Sequence, residues 1–403
     1  MQYTEYELGE LLPFEQPTAY IVKSTDYSDA YATPVLTAGK SFILGKTNET
    51  DGIFDQLPVI IFDDFTTATQ FVNFRFKVKS SAMKILHINT DLVIPKYIFY
   101  RLQIIQFDHS THKRYWIQSY SKIKVLIPPL DEQFRIVARI EEFFSELDKA
   151  VDTLKTTKEQ LVVYRQAILQ QAFIGNSNYH KRKSSIPKAE FKPVDAKELV
   201  QLASLPQEWK YVYLSDLGNL SRGKSSHRPR NDPKLFENGV YPFFQTGDVK
   251  GAQKDLYNCE KKYNDVGLTQ SKLWPAGTLC ITIAANIAET CFLGVDGCFP
   301  DSIVGFIPND NLVLKEYIRF FIEASKLKLW AYAPATAQKN INLSTLENLI
   351  VPYCGIEEQQ YIVQKIEEID SVCNKLEQTI DIALAQADAM RQSILKQAFE
   401  EKI

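Results

Sequence analysis

The feature that most constrains this 403-residue chain is an internal repeat. Glu132-Gln133-x-x-Ile136-Val137-x-x-Ile140-Glu141-Glu142 returns 226 residues later as Glu358-Gln359-x-x-Ile362-Val363-x-x-Ile366-Glu367-Glu368. The register holds as far as Arg165-Gln166-x-Ile168-Leu169-x-Gln171-Ala172-Phe173 and Arg391-Gln392-x-Ile394-Leu395-x-Gln397-Ala398-Phe399. Over 132–173 and 358–399, 18 of 42 positions are identical without a gap. Solenoid units run roughly 20–50 residues, so this period is too long for one. It describes a duplicated half: globular unit, long helix, globular unit, long helix. Such a chain has pseudo-two-fold symmetry, which suits a partner of two-fold character such as duplex DNA.

The repeated segments read as helices. Residues 134–173 and 356–403 contain neither glycine nor proline, and forty helical residues extend about 60 Å. Leu147, Val151, Leu154, Lys158, Leu161, Arg165, Ile168 and Ala172 step by alternating four and three, the spacing of a coiled-coil seam. Their counterparts are Cys373, Glu377, Ile380, Leu384, Ala387, Arg391, Ile394 and Ala398. The expected pairing residues are therefore Leu147, Val151, Leu154, Leu161 and Ile168 with Ile380, Leu384 and Ile394. Polar residues on the seam fix register at some cost in stability. A frayed stalk of two helices is the plainer alternative.

The globular units cover 1–126 and 205–350. Pro58-Val59-Ile60-Ile61-Phe62 reads as a buried strand, and Phe71 to Val78 alternates like a half-exposed one. Pro95 to Gln106 reads as helical, with proline suited to the first turn. The units echo each other weakly: Leu8, Glu10 and Leu11 match Leu214, Asp216 and Leu217, and Tyr97-Ile98 matches Tyr317-Ile318. Each ends in an apolar run and a proline, Val125-Leu126-Ile127-Pro128 and Leu349-Ile350-Val351-Pro352. The long helices then occupy 127–176 and 351–403, with a polar linker at 177–204 around Lys181-Arg182-Lys183. The fold class expected is α+β: two mixed α/β units separated by two long helices that form an antiparallel coiled coil.

The catalytic inventory is thin. Gly218 to Ser225 fits the phosphate-loop pattern G-x-x-x-x-G-K-[ST], but Pro229 and Pro233 follow where a helix must start, so nucleotide binding is not expected. Five scattered histidines and six cysteines without a C-x-x-C pair argue against a metal site or a disulfide framework. No glycine fingerprint of a dinucleotide or methyl-donor fold is present, and no Asn-Pro-Pro-aromatic motif of adenine methyltransferases. No apolar run approaches the ~18 residues of a membrane span, and the start carries no signal-peptide pattern; a cytoplasmic setting is expected. The net charge of −3 excludes a general polycation. Any nucleic-acid contact must come from local basic surfaces.

Such surfaces exist. Arg222, Lys224, Arg228 and Arg230 fall within nine residues, with Gly223 and Ser225 expected to allow close backbone approach. An arginine or lysine there can hold phosphate or reach a guanine edge. Gln245 and Thr246 lie in the same unit. Candidates in the first unit are Thr37, Gly39, Lys40 and Lys46, the short donors Thr66, Thr67 and Thr69, and Lys113 with Arg114. Gln338 and Lys339 precede the last strand of the second unit as Lys113 and Arg114 do in the first. An exposed basic loop or an ordinary turn is the alternative for each.

At this point the chain resembles the specificity subunits of Type I restriction-modification systems. The resemblance rests on the two Pro…Glu-Gln-x-x-Ile-Val-x-x-Ile-Glu-Glu starts at 128–142 and 352–368, and on the Arg-Gln-x-Ile-Leu-x-Gln-Ala-Phe ends at 165–173 and 391–399. Leu205-Pro206-x-x-Trp209 and Pro58 to Thr69 add to it. The one departure is the absence of Leu-Pro-x-x-Trp before the first unit. The resemblance implies two target-recognition domains, each reading one half of a bipartite asymmetric DNA site. It also implies helices that set the spacer and dock two methyltransferase subunits, with restriction and translocation subunits joining. S-adenosylmethionine, ATP and magnesium would then belong to the partners and none to this chain, which would not be an enzyme by itself. The rivals are a coiled-coil scaffold protein without DNA specificity and a complete methyltransferase or nuclease.

Overall fold

The computed structural model describes residues 3–37, 41–107, 114–174, 186, 189–252, 254–332 and 340–400. The chain divides into two compact units, 1–156 with 380–403 and 157–379. Each long helix, Leu130–Phe173 and Ile356–Phe399, contributes residues to both.

In the first unit a four-stranded sheet runs in the order Phe14–Glu15, Met83–Leu86, Val59–Asp63, Thr69–Val72. Val59–Asp63 is buried along its whole length, as its continuous apolar run requires of a central strand. In the second unit Gly218–Arg222, Ile303–Pro308, Leu279–Thr282 and Thr290–Leu293 repeat this order, and Asp255–Leu256 extends the edge. The sheets are topological copies, although almost no residue of one is legible in the other.

The half-exposed strand expected over Phe71–Val78 is instead two strands. Thr69–Val72 belongs to the four-stranded sheet, and Lys77–Val78 pairs with Thr33–Leu36 in a separate sheet of three. Three consecutive buried residues, Phe76, Lys77 and Val78, break the alternation. Phe76 stacks on Phe54 at 5.0 Å. Lys77 Nζ meets Glu49 at 3.1 Å and donates to the Asp51 carbonyl at 2.5 Å.

Each unit is closed by an antiparallel strand pair leading to a long helix. Thr4–Glu7 pairs with Lys124–Ile127, and Lys210–Tyr213 with Ile350–Tyr353. By this register Tyr3 stands where Trp209 stands in the second unit. There Trp209 Nε1 donates to the buried Glu358 carboxylate at 3.0 Å. The missing Leu-Pro-x-x-Trp thus leaves the strand pair in place and changes one aromatic residue.

The repeated glutamine explains the repeat. Gln133 is fully buried; its Oε1 accepts the Ile94 N–H at 2.8 Å, and its Nε2 donates to the Leu92 and Pro128 carbonyls at 3.0 and 2.9 Å. Gln359 does the same with Leu314 N–H at 2.9 Å and the Leu312 and Cys354 carbonyls at 3.0 and 2.8 Å. Ile94 and Leu314 are the N-cap residues of Pro95–Leu102 and Lys315–Ala324. One amide therefore ties the start of a unit's packing helix to the start of its long helix.

All sixteen seam positions of the long helices are buried or half-buried. In the first unit Leu147, Ile380, Ala387 and Ala398 are buried and Val151, Leu154, Leu384 and Ile394 half-buried; in the second, Leu161, Ala172 and Cys373 are buried and Ile168 half-buried. The helix segments are antiparallel. In the second unit Arg165 donates to Asp370, Asn374 and Glu377 at 3.1, 2.8 and 3.2 Å. In the first, Arg391 pairs with Asp148 and lies 4.9 Å from the Phe144 ring. These pairs are partly exposed and contribute at most about 1 kcal/mol each, so their larger effect is on register. Phe173 stacks edge-on against Tyr317 at 5.0 Å, and Phe399 against Tyr97 at 5.3 Å. Each repeat thus ends in an aromatic residue packed beneath a globular core.

A buried group left unpaired costs about 1–3 kcal/mol. Gln359→Leu, which orphans one N–H and two carbonyls, is expected to lower the unfolding free energy by more than about 2 kcal/mol in urea, against under about 0.5 kcal/mol for the exposed neighbour Gln360→Leu. Equal small losses would show that the amide clamp does not hold the unit.

Candidate functional site

The basic segment of the second unit leaves the sheet at Arg222 and has no helix after it, so the phosphate-loop pattern is fortuitous. Gly223 and Ser225, expected to open the backbone to a partner, turn inward. A Cβ on Gly223 would lie 2.2 Å from the Phe299 carbonyl oxygen and 2.4 Å from that of Pro300. The Gly223 N–H donates to Ile303 O at 2.9 Å. Ser225 is buried with its hydroxyl 3.3 Å from that of Tyr263. Gly223 is small because the segment 299–303 packs against it, and Ser225 is turned toward Tyr263.

The four cations divide by role. Arg228 Nη1 donates to the Ser225 and His227 carbonyls, each at 2.8 Å, and staples the loop. Arg230 makes two bonds to Asp301 at 2.8 and 3.1 Å. His227 Nε2 lies 2.9 Å from Asp232. The Asp232 carboxyl is held below its ordinary range first by the Lys234 N–H and then by His227. Arg222 and Lys224 are exposed and make no side-chain hydrogen bond or ion pair among the described residues. Lys272 joins them: its Nζ donates to Ser221 Oγ at 2.9 Å and sits 3.6 Å from the Trp274 ring centroid. No sequence pattern could have found Lys272, because the sheet brings it from fifty residues away.

Arg230, Gln245 and Thr246 share a cleft of about 400 Å³ with Asn231, Asp248 and Lys261. Gln245 is the N-cap of Thr246–Gly251; its side chain accepts the Asp248 N–H, and Asp248 accepts the Gln245 N–H at 2.7 Å. The cleft offers amide, carboxylate and cationic groups within reach of one another.

In the first unit the hairpin between Val59–Asp63 and Thr69–Val72 carries Thr66 and Thr67 at its tip. Asp63 Oδ1 accepts the Phe65 and Thr66 N–H groups at 2.8 and 3.3 Å, and Thr67 sits at φ 57°. Asp64 is buried, paired with Lys84 at 3.2 Å, and accepts the Trp116 N–H at 2.9 Å. Its carbonyl accepts the Tyr115 N–H at 3.0 Å, which brings Arg114, the exposed residue before the helix Tyr115–Gln118, beside the tip. Thr69 does not join this surface: it is buried and accepts a bond from Gln103 Nε2 at 2.5 Å, because the strand alternation turns it toward the packing helix. Lys46 lies in the three-stranded sheet, half-buried opposite Pro34, and Thr37 follows the strand Thr33–Leu36 with its N–H donating to Phe42 O at 2.9 Å. Gly39, Lys40, Lys113, Gln338 and Lys339 lie outside the described residues.

The second unit repeats the hairpin arrangement. The Ile341 N–H donates to Ile283 O at 2.9 Å, the counterpart of Tyr115 to Asp64, and Asn340 pairs with Ala284 at the tip. Sequence reasoning passed over this tip because Ala284-Ala285-Asn286-Ile287-Ala288 has no likeness to Asp64-Phe65-Thr66-Thr67-Ala68.

A family model described as "Type I restriction modification DNA specificity domain" matches residues 206–386. The EcoR124I/EcoR124II specificity subunit of Escherichia coli is 31% identical over 388 residues, covering 92% of this chain and 87% of that protein. This chain belongs to the Type I restriction enzyme specificity subunits. The EcoBI specificity subunit of Escherichia coli is 23% identical over 285 residues, 69% of this chain and 58% of that one. Among solved structures, the HsdS subunit from Thermoanaerobacter tengcongensis has the same fold at TM-score 0.55 and 17% identity, with 100% of this chain and 97% of that one covered. A chain from a structure on the assembly and conformational transition of the type I R-M system reaches TM-score 0.66 at 17% identity, with coverage of 100% and 98%. No described helix of this specificity subunit is long and apolar enough to cross a membrane.

Overpacking costs about 1–3 kcal/mol, so Gly223→Ala is expected to lower the thermal midpoint by several degrees while Lys224→Ala leaves it within about a degree. Equal midpoints in differential scanning calorimetry would restore Gly223 to the exposed surface.

Proposed function

We propose that this specificity subunit is a non-catalytic DNA reader whose two globular units each recognise one half of a split, asymmetric site. The observation that supports the reading is one order of four strands built twice, with a fifth strand added in the second unit and unlike residues at equivalent tips and loops. A common framework with divergent edges is what reading two different sequences requires. Affinity comes largely from cations on phosphate, and specificity from base edges. The paired helices fix the unread spacer and dock two methyltransferase subunits, and restriction subunits complete the assembly in the cytoplasm. S-adenosylmethionine, ATP and magnesium act in those partners. The relatives' names and the fold shared with type I R-M structures support this division of labour.

A methylation map of host DNA with and without the gene tests it. Adenine methylation at one split motif is expected to disappear with the gene. A variant lacking one heptad from each helix is expected to keep both half-motifs and change only the spacer. Unchanged methylation would favour a scaffold protein. In the assembled complex, Lys224→Ala is expected to weaken binding to every duplex and to lower the slope of log K against log salt by about 0.9. Relaxation at a single base pair would make Lys224 a base reader instead.

A further inference from the structure

Among the described residues, four non-glycine residues have positive φ: Thr67, Asn238, Ala285 and Ala288, at 57°, 52°, 62° and 62°. Three of them lie at the two equivalent hairpin tips. Left-handed backbone costs a β-branched or alanine residue energy that its surroundings must supply, and such strain collects at functional sites. Here the surroundings are substantial. The first tip stands on two consecutive aspartates, one forming an Asx turn and the other buried against Lys84 and the Trp116 N–H. The second is held by Ile283 and Ala284 against Asn340 and Ile341, and by the Trp330 indole N–H on the Ile287 carbonyl at 3.2 Å. What this foundation presents is different in chemistry. The first tip exposes Phe65, 47% accessible, with Thr66 and Arg114 beside it. The second exposes Ala285 and Asn340, with Asn286 half-exposed between the two strained residues.

We infer that these two tips are the base-reading elements of their units: Phe65, Thr66 and Arg114 in one, Asn286 and Asn340 in the other. The inference deepens the DNA-reading function proposed above and rests on it. A rigid tip carries side chains to base edges with little ordering cost. Arg114 presents the forked donors that match guanine O6 and N7, and Phe65 an apolar face for a thymine methyl or an opened base step. Asn286 and Asn340 each present the paired donor and acceptor that match adenine N6 and N7. Equivalent position with unlike chemistry gives each half-site its own sequence without altering the framework.

The test uses the methyltransferase complex assembled on the full chain, with methylation of a randomised duplex library read by sequencing. Asn286→Ala and Asn340→Ala are expected to reduce discrimination at least about fivefold at one or two base pairs of one half-site, leaving the other half-site and the salt dependence as they were. Phe65→Ala and Arg114→Ala are expected to do the same in the opposite half. Asn286→Asp, which keeps the size and removes the donors, changes the preferred base at the same position. Unchanged half-sites, or a uniform loss of activity with both half-sites intact, would overturn the assignment. If the unsubstituted complex selects no split motif, the DNA-reading function itself fails, and that outcome is separate from any variant.

Discussion

Everything in this chain hangs on a buried carboxamide. Gln133 and Gln359 each satisfy one backbone N–H and two carbonyls at the junction of a cap, a strand end and a long helix. A carboxylate could not donate to the two carbonyls, and an apolar side chain would leave all three backbone groups unpaired where water cannot reach. The amide fastens the start of each long helix to the N-cap of its unit's packing helix.

The polar seam follows the same logic on a smaller scale. Arg165 faces three oxygen acceptors, whereas its counterpart Arg391 faces one carboxylate and the Phe144 ring. An apolar seam would tolerate sliding by a heptad. A guanidinium that must find its acceptors does not. The same residue type in both copies therefore serves register, while its neighbours differ enough to make the two halves unequal.

The duplication, the two helices and the seam were legible because they rest on periodicity and on identities in constant register. The central strand Val59–Asp63 was legible from its apolar run. The break between Val72 and Lys77 was not, because it depends on Phe76 meeting Phe54 and Lys77 meeting Glu49, residues far off in the chain. The basic segment around Arg222 is legible in the sequence, but the division between cations that staple the loop and cations that face outward is set by the fold. The role of Gly223 was misread: a glycine beside cations suggests access, and only the nearby Phe299 carbonyl shows it to be a packing residue. The second hairpin tip was invisible, since strand order and one hydrogen bond define its equivalence.

The amide clamp, the seam arginine and the terminal phenylalanine recur at identical spacing in both repeats, while the tips present unlike side chains. A half exchanged within a repeated helix would bring an amide clamp that binds the same kinds of backbone group, while its seam arginine would meet different neighbours. Such an exchange would set a different tip on an equivalent amide clamp. The repeated junction thus marks a place where one half could be replaced while the clamp of the other stays as it is.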